Sequence, residues 1–298
     1  VRVWVSGARG FVGAWLLPRL ARDGYDVTAA DREVEVREAA AVDAAIAGAR
    51  PDAVVHLAAL ASVATSFDDP EAVVRVNYLG TLHVLRAVAR HAPHARVLLV
   101  SSGEIYGGAP TADPIGEDAP LVPRSPYART KAAADRLGAA FAESGLDVVR
   151  VRPWNHTGPG QSDTYVASSF ARQLAEMVLG RRAPLMRVGN LEAVRDFLDV
   201  ADVIDAYLRL LDPSVPRGAY NVASGVPIQI ARVLELLVAR AGLRPTIEVD
   251  LARYRPARAS VGDAARLRNA TGWVPQIPLE DTLARLFDAW LARLSASR

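Results

Sequence analysis

Through its first half the chain alternates short apolar runs with alanine-rich stretches, and that rhythm leaves few folds open to it. The strand-like runs cover residues 2–6, 26–30, 53–57, 96–101 and 147–152. Between them, residues 11–22, 38–49, 71–90 and 127–143 are composed and spaced as helices. Short strands joined by helical crossovers predict a parallel sheet covered on both faces, an α/β doubly wound fold. Right-handed crossovers then bring the carboxyl ends of the strands, and any ligand, to one edge. After Pro153 the rhythm breaks. Residues 154–163 read as a loop, 165–179 as a helix and 185–188 as a short strand, and further helices are expected over 199–211, 228–241, 264–270 and 279–294. A smaller C-terminal lobe capping the strand ends is expected from residues 155–193 and 223–298, with part of 194–222 returning to the first domain, residues 1–154.

One turn in this scheme carries chemistry. Gly7-Ala8-Arg9-Gly10-Phe11-Val12-Gly13 follows the first strand and opens the first helix. Glycines so spaced let backbone amides approach a pyrophosphate at a helix N-terminus, which makes the first domain a candidate dinucleotide-binding Rossmann unit. Asp31 ends the second strand, where a carboxylate binds adenosine ribose hydroxyls and favours NAD. Arg32 follows, and an arginine there accommodates a 2′-phosphate, so NADH and NADPH both stay open. Leu57-Ala58-Ala59 closes the third strand with small residues that let a cofactor approach the backbone, and His56 before them reads as a hydrogen-bonded core histidine.

Composition excludes several other classes. The chain has no cysteine, which removes disulfides, thiolate catalysis and Cys-type zinc sites. Half of its 298 residues are apolar, enough for a substantial core. Net charge is only +2, and no basic block or basic–aromatic stripe points to nucleic acid. No apolar run reaches membrane length, so a cytoplasmic protein is expected.

The basic residues are unevenly shared: 34 arginines and a single lysine, Lys131. Arginine serves most solvated sites equally well, so a lone lysine is either a chance survivor or the mark of a place where a compact, tunable ammonium is needed, and composition alone leaves both open. Lys131 lies four residues after Tyr127, in a segment that opens as a helix behind Ser125-Pro126. Residues four apart share a helix face. A nearby ammonium and a positive nicotinamide lower a phenol from its ordinary pKa of about 10 toward the range of a working acid or base. Lysine also grips a nicotinamide ribose. Ser102, in Ser101-Ser102-Gly103-Glu104-Ile105-Tyr106-Gly107 at the end of the fourth strand, is placed to hydrogen-bond a substrate carbonyl beside Tyr127.

Together with Asn77 in Val76-Asn77-Tyr78-Leu79-Gly80-Thr81, these features resemble the extended short-chain dehydrogenase/reductases over essentially the whole chain. The C-terminal half narrows the likeness. Trp154-Asn155-His156-Thr157-Gly158-Pro159-Gly160-Gln161 and Val188-Gly189-Asn190-Leu191-Glu192-Ala193-Val194-Arg195-Asp196-Phe197 are similar to GDP-mannose 4,6-dehydratases and the GDP-6-deoxy-4-keto-mannose reductases. The loop and the ending around Trp273 are nearer the reductases.

The resemblance implies roles. Ser102, Tyr127, Lys131 and Glu104 would be catalytic. Gly7, Gly10, Phe11, Val12, Gly13, Asp31, Arg32, Glu35, Val36, Leu57, Ala58, Ala59, Asn77, Tyr127 and Lys131 would surround NAD(P)H, Asn77 by supporting the active-site helix. Ser102, Glu104, Asn155 and Asn190 would meet the nucleotide sugar, and Arg195, Arg255 and, as a weaker candidate, Arg172 its pyrophosphate. The run Arg255-Pro256-Ala257-Arg258 lacks the glutamate that relatives carry toward the nucleotide ribose, which loosens the implication of guanine. Glu104 occupies the position of the proton-shuttling glutamate of 4,6-dehydratases, but related reductases carry an acid there too. Gly103 replaces the second acid of thymidine-linked dehydratases, which argues against that branch. The implied activity is NAD(P)H-dependent reduction of GDP-4-keto-6-deoxy-D-mannose to GDP-D-rhamnose, by a homodimer joined through residues 71–90 and 127–143. The alternatives are a 4-epimerase or 4,6-dehydratase that recycles its cofactor and, from another class, a dinucleotide sensor without catalysis.

Overall fold

The computed structural model describes residues 1–108, 113–251 and 259–296. In chain order the first half comprises β1 (Arg2–Ser6), α1 (Phe11–Arg22), β2 (Asp26–Ala30), α2 (Ala39–Ala49), β3 (Ala53–His56), α3 (Pro70–Val73), α4 (Gly80–His91), β4 (Arg96–Val100), α5 (Pro126–Glu143) and β5 (Val148–Pro153). The second half comprises β6 (Asn155–Thr157), α6 (Val166–Val178), β7 (Leu185–Val188), β8 (Val194–Arg195), β9 (Phe197–Asp199), α7 (Val200–Leu210), β10 (Gly218–Val222), β11 (Ile228–Gln229), α8 (Ile230–Ala241), β12 (Thr246–Val249), α9 (Ala265–Thr271) and α10 (Leu279–Ala296).

Six parallel strands form the central sheet in the order β10-β5-β4-β3-β1-β2. The expected α/β doubly wound Rossmann sheet is therefore present. Burial on both faces explains why its inner strands are mostly apolar. In β1, Val3 and Val5 face one layer while Trp4 faces the other, and Leu98 and Leu99 of β4 divide the same way. Helices α1 and α7 cover the first face, α2 and α4 the second. The chain order reverses between β1 and β3, the switch point where open α/β sheets bind ligands. There Ser6 registers with Ala30 on one side and His56 on the other.

A separate apolar cluster joins α6, α8 and α10 around Phe170, Leu174, Leu237, Leu286 and Trp290. Fully burying each such side chain is worth about 1.5–3 kcal/mol, enough for this lobe to have its own core. Two-stranded ribbons tie it to the sheet: β6 with β9, and β8 with β11. Among the described residues no helix is long and apolar enough to cross a membrane.

Two local readings change. The stretch 71–90 is helical throughout, as expected, but it is not uniformly α-helical. Asp69 caps α3 through Ala72, a π-helical turn follows over Val74–Leu79, and α4 begins at Gly80. The loop expected over 154–163 contains β6, which exists because Asn155, His156 and Thr157 pair with Phe197, Leu198 and Asp199.

Candidate active site

The turn between β1 and α1 is shaped for close approach. Gly7 has φ +69°, and a Cβ there would lie 2.7 Å from the Ala58 nitrogen. Any other residue would push the turn away from the end of β3. Gly10 is the N-cap of α1, no side chain caps that helix and its first turn holds no acid. The positive end of the helix, with Phe11, Val12 and Gly13 in its first turn, thus stays available to an anion. Asp31 holds the turn from outside, accepting from the Arg9 amide at 2.8 Å and the Arg32 amide at 3.0 Å. Arg32 is exposed beside it, and Arg9 pairs with Glu33 at 3.3 Å. Glu35 is spent on Arg37 at 2.8 Å, while the Val36 carbonyl accepts from His83 at 2.9 Å and its side chain lies against Gly80. Leu57, Ala58 and Ala59 form the floor facing the glycine turn, with the Leu57 amide donating to the Ser6 carbonyl. These features fit a dinucleotide: open amides at a helix end, a small-residue floor, and a carboxylate at the end of β2.

Tyr127 and Lys131 sit on the first two turns of α5, which starts where the Ser125 hydroxyl accepts from the Ala128 amide at 3.1 Å and Pro126 fills the first position. Both side chains are buried. The Lys131 ammonium donates to the Val100 carbonyl at 2.7 Å, at the end of β4. Ser102 caps the 3-10 turn Gly103–Tyr106, accepting from the Glu104 amide at 3.2 Å, and its hydroxyl hydrogen-bonds the Tyr127 phenol.

The acid–base character differs from the expectation of a lowered phenol. Burial raises the Tyr127 pKa well above the ordinary phenol, the Ser102 hydrogen bond only partly opposes this, and Tyr165 and Glu104 raise it further. Burial also brings the Lys131 ammonium down to about 8. Among the protein's own groups, then, Tyr127 is held as the neutral acid.

Trp154 closes the wall behind Glu104. Its indole donates to the Ser260 hydroxyl at 3.1 Å and stacks on Tyr106 with centroids 5.5 Å apart. A Cβ at Gly103 would lie 2.7 Å from the Trp154 ring, so this wall has no room for an acid at position 103.

On the second lobe, the Asn155 amide donates to the Asp196 carbonyl at 3.2 Å. His156 stacks on Phe11 at 6.2 Å, and the Trp15 indole donates to the Pro159 carbonyl, which fastens this loop to α1. Asn190 accepts from the Glu192 amide at 2.9 Å. Arg195 lies where β8 pairs with β11, and it bridges to Ser260. Arg172 is already held by Asp163 and by Glu176 at 2.8 Å, so a phosphate there would displace an ion pair. Arg255 lies outside the described residues.

Two structural features, at Asp196 and Asp135, went unread in the sequence, while a third residue, Asn77, was expected to support the active-site helix. Asp196, fully buried, accepts from the Ser224 amide and hydroxyl and the Gly225 and Gly262 amides, clamping the strands around Asn155. Asp135 anchors Arg150 and Arg152 beneath α5. Asn77, in the π-helical turn, spends its amide on Leu60 and Thr130. Of the two unread residues only Asp135 left a signal: it continues the i, i+4 face of Tyr127 and Lys131 by one more step.

With this fold and site, the chain belongs to the NAD dependent epimerase/dehydratase family, whose match covers residues 3–223. It is an NAD(P)-dependent enzyme of the extended short-chain dehydrogenase/reductase type. It is 42% identical over 248 residues to a GDP-6-deoxy-D-mannose reductase of Pseudomonas aeruginosa, covering 82% of each chain. It is 31% identical to a UDP-glucose 4-epimerase of Mycolicibacterium smegmatis, over 96% of this chain and 97% of that one. Its fold matches the structure of RMD from Pseudomonas aeruginosa complexed with NADPH, with TM-score 0.91, 38% identity and coverage of 98% and 99% of the two chains.

Proposed function

We propose that this enzyme reduces a nucleotide-linked 4-keto-6-deoxy sugar with NAD(P)H, converting GDP-4-keto-6-deoxy-D-mannose to GDP-D-rhamnose. The observation that carries the reading is the 42% identity with a reductase of that nucleotide-sugar class across 82% of both chains. The site chemistry supports it. Reduction needs a proton donor at the carbonyl, and burial holds Tyr127 protonated. Bound NAD(P)H supplies the hydride to C4. Tyr127 gives its proton to the C4 oxygen, Ser102 orients that oxygen, and Lys131 stabilises the phenolate left behind. On this reading residues 1–154, with β10 returned to their sheet, hold the dinucleotide, and residues 155–193 and 223–298 hold the nucleotide sugar through Asn155, Asn190 and Arg195. A homodimer through residues 71–90 and 127–143 and a cytoplasmic location belong to the same proposal. Exposed Val74 and Leu79 on that face support the dimer.

Mixing the pure enzyme with NAD(P)H and GDP-4-keto-6-deoxy-D-mannose should consume reduced cofactor stoichiometrically with ketone. No consumption with any 4-keto nucleotide sugar would sink the proposal. Glu104, close enough for its charge to raise Tyr127, favours a second reading, a 4-epimerase or 4,6-dehydratase. Isomerised or dehydrated sugar with no net loss of reduced cofactor would establish it.

Two further results are expected. As pH rises through about 8, Lys131 loses its proton while Tyr127, raised by burial, keeps its own. The value of kcat/KM for the ketosugar should therefore fall on the alkaline side with an apparent pKa near 8. A flat profile to about pH 9.5 would contradict this role for Lys131. Separately, a carboxylate at Asp31 repels a 2′-phosphate that Arg32 and Arg9 would attract. Asp31→Asn keeps one acceptor for the loop amides and should raise the NADPH-to-NADH ratio of kcat/KM by about tenfold. An unchanged ratio would remove Asp31 from the cofactor site.

A further inference from the structure

Behind the glycine turn runs a chain of buried polar groups that the reaction itself does not use. Ser6 Oγ lies 2.7 Å from His56 Nδ1, and His56 Nε2 lies 3.1 Å from Thr81 Oγ1. At one end the Ala58 amide donates to Ser6 Oγ at 3.3 Å. At the other, Thr81 Oγ1 donates to the Asn77 carbonyl at 2.7 Å. From Asn77 the path continues through its own side chain, which donates to Thr130 Oγ1 at 3.1 Å, and Thr130 donates to the Tyr127 carbonyl at 2.8 Å. Ser6, His56, Asn77, Thr81 and Thr130 are all buried.

For a neutral ring, the Thr81 end of the histidine segment fixes the protons in it. An amide N–H only donates and a carbonyl only accepts. Thr81 gives its proton to the Asn77 carbonyl, so its oxygen must accept from His56 Nε2. Ser6 accepts from the Ala58 amide, and its own proton points to His56 Nδ1. One arrangement satisfies all groups: a neutral imidazole protonated on Nε2. A neutral ring protonated on Nδ1 would leave Nε2 facing Thr81, whose one proton is already given to the Asn77 carbonyl. Burial and the nearby Lys131 ammonium also disfavour the imidazolium, bringing the His56 pKa down to about 3.

We propose that His56 is a positioning residue that ties the dinucleotide floor at Ala58 to the helical turn carrying Tyr127. The imidazole serves two separable tasks. Its Nδ1 side holds Ser6 and thereby the Ala58 amide against Gly7. Its Nε2 side holds Thr81, the π-helical turn with Asn77, and through Thr130 the backbone of Tyr127. The π-helical turn fits this role, because one extra residue in the turn reorients a side chain without ending the helix. The inference rests on the assignment of Ala58 to the cofactor floor and of Tyr127 as proton donor.

Asparagine places an amide oxygen near the position of Nδ1, and glutamine places an amide nitrogen near that of Nε2. His56→Gln should therefore keep the Tyr127 side and lose the floor: Kd for NAD(P)H, read by tryptophan fluorescence, rises about tenfold while kcat stays within about twofold. His56→Asn should do the reverse, with kcat lowered about tenfold and Kd close to wild type. A residue that merely fills the core would move both parameters together in both variants, or neither, and either pattern overturns the proposal. Should the variants fold poorly, 15N spectra of the wild-type protein decide: an assigned His56 ring protonated on Nε2 at neutral pH supports the relay, and one protonated on Nδ1 or on both nitrogens overturns it. The dinucleotide titration and the spectra need no sugar. A wild-type enzyme inert toward every 4-keto sugar would thus remove the reductase reading while these two measurements still judge His56.

Discussion

Tyr127→Phe should lower kcat by about 10²–10⁴-fold and leave NAD(P)H affinity close to wild type. The substitution removes one oxygen from a side chain that is only 7% exposed, and the ring that remains fills the same space. Nothing else in the site replaces the lost proton. Ser102 keeps its bond to the Glu104 amide, but an alcohol is a far weaker acid at a developing alkoxide than a phenol backed by an ammonium. Lys131 is buried, and its ammonium already donates to the Val100 carbonyl. Glu104 bears the wrong charge for stabilising an oxyanion. The interaction lost is one made in the transition state, so kcat and kcat/KM should fall together with KM little changed. Stopped-flow loss of reduced cofactor, beside a fluorescence titration of the same variant, checks both halves. A variant retaining more than about a tenth of wild-type turnover would remove Tyr127 from proton transfer.

Much of the fold was legible because the central strands are buried on both faces. β1 to β5 are short apolar runs between turn residues, and each lies within a residue of where its composition places it. β6, β8, β9 and β11 were not legible. Two or three residues carry no period, and these strands exist only because a distant partner is brought alongside, as Val194 is to Gln229. The π-helical turn within 71–90 was hidden for a related reason. Asp69 and Pro70 announce a helix start, but a π-helical turn has no local sequence mark, and here Leu60 and Thr130 hold Asn77 from outside the helix.

The site divides along the same line. The glycines of the turn lie close together in sequence, as do Tyr127 and Lys131, so spacing alone exposes each motif. The groups that hold them in place come from far along the chain: Ser6 from His56, Asp196 from Gly262, Tyr106 from Asn221. No periodicity couples such pairs. The acid–base state of Tyr127 was likewise out of reach, because its largest determinant is burial by residues on other elements.

The largest stability effect is expected beneath α5. Asp135→Ala should cost about 3–5 kcal/mol, the range for removing one partner of a buried ion pair. Asp135 is fully buried and accepts from Arg152 twice, at 2.9 and 2.8 Å, and from Arg150 at 3.0 Å. Without it, the Arg152 guanidinium stays buried without its ion-pair partner, beside the partly exposed Arg150. Arg152 cannot relax toward water, since it is 4% exposed and also donates to the Tyr106 hydroxyl at 2.7 Å and the Glu117 carbonyl at 2.9 Å. Burial alone would lower its pKa, and Asp135 is the main group that instead raises it. Arg150→Ala should cost less, because Arg150 is partly exposed and its loss leaves the two Arg152 bonds intact. Urea midpoints of the two variants read the difference directly. The damage should also reach the chemistry. Tyr106 passes the Arg152 bond on to Asn221 at 2.9 Å and ends the short turn that carries Glu104 and is capped by Ser102. At a temperature where Asp135→Ala is still folded, kcat should therefore fall with the loosened turn, whereas Arg150→Ala keeps it. Equal stability of the two variants would show that the charge of Asp135 is compensated elsewhere and that the pair does not anchor α5.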